Sequence, residues 1–310
     1  MQFWPRKRAK KPIARVRQWT PSNEAKPLGF PGYKVGMTQV FLTDNRQTSL
    51  TKGDDICWPV TIIECPPIKV ASLVFYKKNV YGLRAVSQVF AEKLDKDFAR
   101  KMIIPKNAKK HIADIKLEDF DDIRLLVYTQ PRLVGIGKKK PEAFEIGLGG
   151  SKEDKFKVAQ EKLGKEIYLK DVLKEGMVID LHGITEGKGF QGPVKRFGVA
   201  IGSHKAQKTR RGPASLGAWH GNRSWTVAHA GQMGFHQRTE YNKWILMIGD
   251  DPSKINTSSG YRAYGVVKNN FILLKGSVMG PPKRLITMTA ASRKYGKVAK
   301  EAPTITYIKV

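Results

Sequence analysis

Acidic residues are scarce in this chain. Of its 310 residues, 27 are Asp or Glu against 56 Lys or Arg, which leaves a formal net charge of +29. A folded core gains nothing from that imbalance, because like charges repel in the compact state. Cysteine is scarcer still. Cys57 and Cys65 are the two present, and they form no C-x-x-C pair, so neither a zinc ribbon nor a disulfide framework is indicated. Lying in or beside the apolar stretch Cys57–Cys65, both are expected to be free buried thiols in a reducing compartment. No apolar run approaches the roughly 20 residues that span a bilayer. The N-terminal segment is basic without a following apolar run, which argues against a secretory signal and for the cytoplasm, with no membrane partner.

Catalytic signatures are missing in the same way. There is no G-K-[ST] for a P-loop, no H-R-D or D-F-G for phosphotransfer, and no G-x-S-x-G or Cys–His pair to supply a nucleophile. Gly187-Lys188-Gly189-Phe190-Gln191-Gly192 is a literal G-x-G-x-x-G after the strand-like run Met177–Leu181. A dinucleotide fold would then need a helix and an acid to hold a ribose. Pro193-Val-Lys-Arg-Phe-Gly reads as a poor helix start, and no acid occurs between Glu186 and Glu240. His220, His229 and His236 are spaced nine and seven apart, which suits no metal-ligand face. No cofactor, metal or small-molecule substrate is expected, and the chain does not read as an enzyme.

What is present is cation, glycine and short apolar alternation. Hydrophobic residues make up 41% of the chain, enough for a packed core. A polyanion relieves the charge excess, and phosphate backbones release counterions when lysine and arginine bind them. Residues 1–17 hold seven basic residues and no acid, interleaved or flanked by Phe3, Trp4 and Trp19. This reads as an extended arm whose Arg6, Lys7, Arg8, Lys10, Lys11, Arg15 and Arg17 meet phosphates while Trp19 stacks on bases.

Strand-like runs follow at Tyr33–Leu42, Val60–Glu64, Val70–Tyr76 and Tyr81–Phe90. Residues 92–175 are nearly charge-balanced, with 16 acids and 20 Lys or Arg, and read as an inserted, more solvent-facing α/β region. Helices are predicted there over Glu92–Met102, from Leu94, Phe98 and Met102 at i, i+4 and i+8, and over Lys152–Leu163, capped by Ser151. Residues 182–249 carry ten Lys or Arg, two acids, five of the six His and 12 of the 29 Gly, with no apolar period until Trp244–Ile248. A loop of that length without a core reads as an extension ordered inside a large RNA. Further strands are expected at Tyr264–Val267, Phe271–Leu274, Leu285–Thr289 and Thr304–Val310. Lys275–Lys300 holds seven basic residues and no acid.

The segment Leu173 to Arg196 resembles the signature of the universal large-subunit ribosomal protein L-three family, in its archaeal or eukaryotic form. The matching positions are Leu173, Asp180, Gly183, Thr185, Gly187-Lys188-Gly189, Gly192 and Arg196. Similar matches run through Lys34–Thr38, Pro59–Glu64, Ser215–His220, Ala230–Gly234 and Lys275–Val278. The resemblance implies a mainly β fold: a translation-protein-type β-barrel with an inserted α/β region and long basic extensions. It implies an N-terminal arm over 1–30, barrel over 31–91, insertion over 92–175 and a barrel strand with the Gly-rich loop over 176–202. A central extension over 203–243 and barrel completion with a basic C-terminal segment over 244–310 follow.

It also implies large-subunit (23S-type) rRNA and neighbouring large-subunit ribosomal proteins as partners, a part in early subunit assembly, and a finger whose tip, Trp219, approaches the peptidyl transferase centre. The rRNA-binding residues would be those of the arm together with Lys188, Lys195, Arg196, His204, Lys205, Lys208, Arg210, Arg211, Trp219, His220, Arg223, Gln232, His236 and Arg238. Gly187, Gly189 and Gly192 would let the backbone come close to RNA. Some relatives carry a histidine before the tip; this chain has Lys208-Thr209-Arg210-Arg211-Gly212 there, so no histidine role carries over. The alternative class is an rRNA-processing or nucleotide-dependent RNA factor using the Gly-rich loop.

Overall fold

The computed structural model describes residues 3–104, 111–205, 208–213, 216, 218, 227–293, 296, 299 and 301–309. In chain order its strands are β1 (Gly29–Thr43), β2 (Asp55–Glu64), β3 (Ile68–Asn79), β4 (Gly82–Phe90), β5 (Asp122–Thr129), β6 (Ala143–Gly147) and β7 (Glu166–Ile167). They continue with β8 (Val178–Ile184), β9 (Phe190–Gln191), β10 (Gly231–Gln232), β11 (Gln237–Gly249), β12 (Phe271–Lys275), β13 (Leu285–Ala290) and β14 (Ile305–Ile308). Two helices, α1 (Lys152–Lys162) and α2 (Pro193–Phe197), and several single 3-10 turns complete the described elements. The chain is mainly β, as its composition and turn signals predict.

Alternation decides the first sheet. Its strand order is β13-β8-β11-β12-β2-β1-β14, all antiparallel, and β13 pairs with β1 as well as with β8. Six strands therefore close into a ring, and closure leaves no free edge within it. β1 is long enough to serve two partners on one side. Gly29–Tyr33 lies against β13, and Val40–Leu42 lies against β14. Successive side chains along a strand face opposite ways, and here both faces are buried. Phe30, Ile63, Ile179, Leu181, Ile245, Ile272, Leu274, Ile286 and Met288, drawn from all six ring strands, form one cluster. The interleaved Ile62, Leu246 and Leu273 join Tyr33, Val134, Tyr264 and Val267 in another.

The second sheet has order β4-β3-β5-β6, with β7 also pairing with β3. Ile68–Phe90, grouped by sequence with the first part of a barrel over 31–91, thus belongs to this other sheet. Its partners β5 and β6 are distant in sequence, so nothing local in Val70–Tyr76 announces them. Leu73, Phe75, Ile123, Leu125 and Ile146 merge with the cluster shared by the ring strands, so the region is not simply solvent-facing. Helix α1 starts where predicted. The Ser151 hydroxyl accepts from the Asp154 amide at 3.2 Å, with Glu153 and Asp154 in the first turn.

Several expectations are corrected. Glu92–Met102 forms no α-helix; only Phe98–Arg100 makes a 3-10 turn. The apolar spacing is used, since Phe98 is buried with Leu94 and Met102 against it. The intervening acids are engaged elsewhere: Asp95 bonds Lys69 and Tyr128, and Asp97 pairs with Arg132. Pro193 does open a short helix, α2, because proline suits the first helical position and Gly198 closes it at φ +72°. Tyr264–Val267 is a loop, not a strand: Tyr264 and Val267 are buried, while Gly265 and Val266 between them are exposed. The core-free loop predicted over 182–249 is shorter than expected, because β8 continues to Ile184 and β11 begins at Gln237. Cys65 is buried, but Cys57 is exposed.

Candidate nucleic-acid interface

Where β8 ends, the Gly-rich loop leaves the ring and is bound along its length by the returning limb. The Thr185 amide donates to His236 O at 2.9 Å and the Phe235 amide to Glu186 O at 3.2 Å. Lys188 donates to Met233 O at 2.9 Å, and Met233 to Gly189 O at 2.9 Å. β9 and β10 pair just beyond, with Phe190 opposite Gln232. This close approach needs Gly234: at φ +71°, a Cβ there would lie 1.9 Å from Glu186 O. Of the glycines singled out by sequence, Gly187 sits against Phe235, whereas Gly189 and Gly192 have no atom within 4 Å of where a Cβ would be and face open space.

Arg196, on α2, is the clasp. Its Nε donates to Gln232 O at 3.0 Å and its Nη1 to His229 O at 2.9 Å. Its own carbonyl accepts from Arg6 Nη1 at 3.1 Å, and both guanidiniums lie over the Phe197 ring, at 4.4 Å for Arg6 and 4.9 Å for Arg196. Burial, and then the neighbouring Arg6 charge, lowers the basicity of Arg196. Sequence assigned this residue to phosphate; its Nε and Nη1 are instead bonded inside the protein. Gln232 likewise turns inward, its amide donating to Met233 O and Gly234 O.

The arm lies on this limb. Ala9 donates to Phe235 O at 2.8 Å. The buried His236 places Nδ1 2.9 Å from Lys7 O, which requires the Nδ1–H tautomer. Gln237 and the Arg15 main chain exchange two bonds, at 2.8 and 3.3 Å. Arg8 and Arg284 hold Phe235 at 5.5 and 5.3 Å, and Arg238 lies 4.2 Å from the Phe3 ring centroid. Trp19 is half-buried, with its ring filling the space over Gly29 and Gly147. It anchors the arm through protein contacts.

Around this knot the remaining cations point outward. Lys7, Arg8, Lys10, Lys11, Arg15, Arg17, Lys188 and Lys195 are exposed, as are His204, Lys205, Lys208, Arg210 and Arg211 beyond α2. None of them has an ion pair among the described residues. Arg210 also closes the base of the extension: its amide carbonyl accepts from Gly202, and its Nε donates to Gly202 O. Trp219, His220 and Arg223 lie outside the described residues. Sequence reasoning missed Phe197, Phe235, Gln237 and Arg284. Of these only Arg284 had a signal, the acid-free run from Lys275. Among the described residues no group of three or more His, Cys, Asp or Glu is placed to hold a metal ion, and no helix is long and apolar enough to cross a membrane.

Comparison with known proteins agrees over the full length. The family described as ribosomal protein L3 matches residues 1–309. Large ribosomal subunit protein uL3 of Methanosphaera stadtmanae is 47% identical over 317 residues, covering 99% of this chain and 94% of that protein. The protein of the same name from Methanobrevibacter smithii is 44% identical over 316 residues with the same coverage. That of Archaeoglobus fulgidus is 43% identical over 300 residues, 94% of this chain and 90% of the relative. A knot of arm and loop whose exposed cations have no ion pair among the described residues is in keeping with this likeness, and on the likeness the chain belongs to the ribosomal protein L3 family, whose members are structural and not enzymatic.

Proposed function

We propose that this protein is a structural constituent of the cytoplasmic large ribosomal subunit that binds 23S-type rRNA through its arm, its Gly-rich loop and the limb that returns to β11. One observation carries the reading. Three segments far apart in sequence are tied together by main-chain hydrogen bonds, while their exposed cations have no ion pair among the described residues. Internal bonds fix the shape, and phosphate supplies the missing counter-charge. The ring of six strands is the translation-protein-type barrel, the second sheet with α1 is its insertion, and neighbouring large-subunit proteins cover part of the outer surface. Binding by a preformed knot suits a protein that joins early in subunit assembly.

The extension between α2 and β11 is the finger that approaches the peptidyl transferase centre. Trp219→Ala is expected to leave incorporation nearly unchanged but to alter aminoacyl-tRNA accommodation or sensitivity to drugs acting at that centre. Purified mutant ribosomes with normal tRNA binding and drug response would remove the finger from function. For the chain as a whole, the test is sedimentation with large subunits through a high-salt wash. A constituent stays on, whereas a factor held mainly by phosphate contacts is shed. Tight ATP or NAD binding by the purified protein would favour the nucleotide-dependent alternative.

A further inference from the structure

The β3–β4 hairpin carries exposed apolar side chains at its tip. Its two-residue turn is Val80-Tyr81, with Asn79 opposite Gly82. The backbone demands of the turn are met by its flanks: Asn79 Oδ1 accepts from the Tyr81 amide at 3.0 Å, and Gly82 takes φ +117°. Nothing in the turn geometry therefore calls for apolar residues at positions 80 and 81, where Asn, Asp and Gly are usual. Yet Val80 and Tyr81 are 97% and 98% exposed, with Leu83 and Val86 exposed beside them. Among the described residues β4 pairs with β3 alone, which leaves its other edge open there.

The charge of the hairpin is equally one-sided. No acid occurs between Glu64 and Glu92. The other cations on the strands of this sheet are ion-paired: Lys69 with Asp95 and Glu166, and Arg124 with Asp122 and Glu145. Lys77, Lys78 and Arg84 have no ion pair among the described residues; the nearby Asp121 accepts from the main-chain amide of Lys78. Register puts Lys77 opposite Arg84 and Lys78 opposite Leu83, so cations lie on both faces of the ribbon. An apolar protein surface would cover the tip but strand those three charges. A strand of RNA answers both features, with phosphates beside the cations and an unpaired base against the tyrosine ring.

We propose that the Val80–Tyr81 hairpin is a second rRNA contact, carried on the second sheet and separate from the arm and Gly-rich loop: Tyr81 stacks on an unpaired base while Lys77, Lys78 and Arg84 hold the flanking phosphates. This rests on the rRNA-binding reading above. The test uses the full-length protein, large-subunit rRNA and affinities measured across a salt series. All the altered side chains are exposed or on the ribbon surface, and matched thermal unfolding checks the fold. Tyr81→Ala is expected to weaken binding roughly 5- to 150-fold with the salt slope unchanged. Lys77→Gln, Lys78→Gln and Arg84→Gln together are expected to flatten the slope by about 2–3 units. Wild-type affinity and slope in both variants would overturn the proposal, and if subunit incorporation nevertheless fell, the partner would be a ribosomal protein. If the unaltered chain fails to bind rRNA with a salt-dependent affinity, it is the underlying reading that falls.

Discussion

Arg196 and Lys188 sit eight residues apart in one glycine-rich segment, and sequence gave them the same task. The structure separates them. Removing the Arg196 guanidinium deletes two charge-assisted bonds, to Gln232 O and His229 O, each worth about 1.5–3 kcal/mol. The group is only half-buried, so the lower end applies, and loss of both costs the limb about 2–3 kcal/mol of local stability. Four main-chain bonds between loop and limb remain, so the limb opens more often without detaching. In Arg196→Ala, amide exchange at Lys188, Met233 and Phe235 should therefore quicken roughly 30- to 150-fold. Lys188→Ala should leave that exchange alone and flatten the salt slope of rRNA binding by about 0.7–0.9 units. Arg196→Lys discriminates further, because it keeps the charge but cannot span two carbonyls; it should exchange as fast as the alanine variant with a nearly normal slope. Unchanged exchange in Arg196→Ala, together with a slope loss matching Lys188→Ala, would show that the guanidinium serves phosphate and not the limb.

Tyr264→Phe should cost about 1.5–3 kcal/mol in urea unfolding. The Tyr264 hydroxyl donates at 2.5 Å to Glu64 Oε2, while Lys268 N, Asn269 N and Asn269 Nδ2 serve Oε1, so the variant leaves a buried carboxylate oxygen without its donor. Burial together with the Glu64 charge drives that hydroxyl far above the ordinary tyrosine range, so it remains a donor at any working pH. Asp44→Asn should destabilise the fold by about 2–3 kcal/mol at pH 7, because buried Asp44 accepts from Arg46 Nε and Nη2 at 2.9 and 2.7 Å and from Thr51 at 2.8 Å. The Arg46 bond holds the carboxyl well below the usual carboxylate range. A depressed group stabilises above its unfolded value, near 3.9, and loses that contribution as pH falls toward its folded value. The gap between wild type and variant should thus be constant from pH 7 to 5 and narrow below about 4. Gly147→Ala should push the Trp19 ring, 2.8 Å from the new Cβ, off its seat; trypsin should then cut at Arg15 and Arg17 sooner while the strands stay protected.

The legible parts of this protein are those written in adjacent residues. Runs rich in Val, Ile, Tyr and Phe between turn residues announced β1, β2 and β12, and Ser151 with Glu153 and Asp154 announced α1 to within a residue of its end. Glu92–Met102 misled because its apolar period is real, but Asp95 and Asp97 serve Lys69, Tyr128 and Arg132 across the sheet. α2 escaped because five residues between two glycines make no period. Sheet membership of Ile68–Phe90 depends on β5, whose pairing is non-local. The site was half-legible for a chemical reason. A guanidinium that ties carbonyls and one that awaits phosphate look alike as a letter, so Arg196 and Lys188 could not be told apart. Trp19 was read as a free ring for want of any sign that Gly29 and Gly147 leave it a seat.

Ring closure also fixes when this chain can be finished. β1 finds its partner in β13, and the arm just before it is tied to the same strand, Thr20 donating to the carbonyl of Ala290, 270 residues later. At about 5–20 residues per second, roughly 15–50 s of synthesis separate these partners. Throughout that time the apolar edge of β1 stands open on a nascent chain, beside an arm rich in cations. A protein with this topology carries a built-in need for shelter during its own translation, and a message truncated before codon 285 would yield a polypeptide unable to close at all.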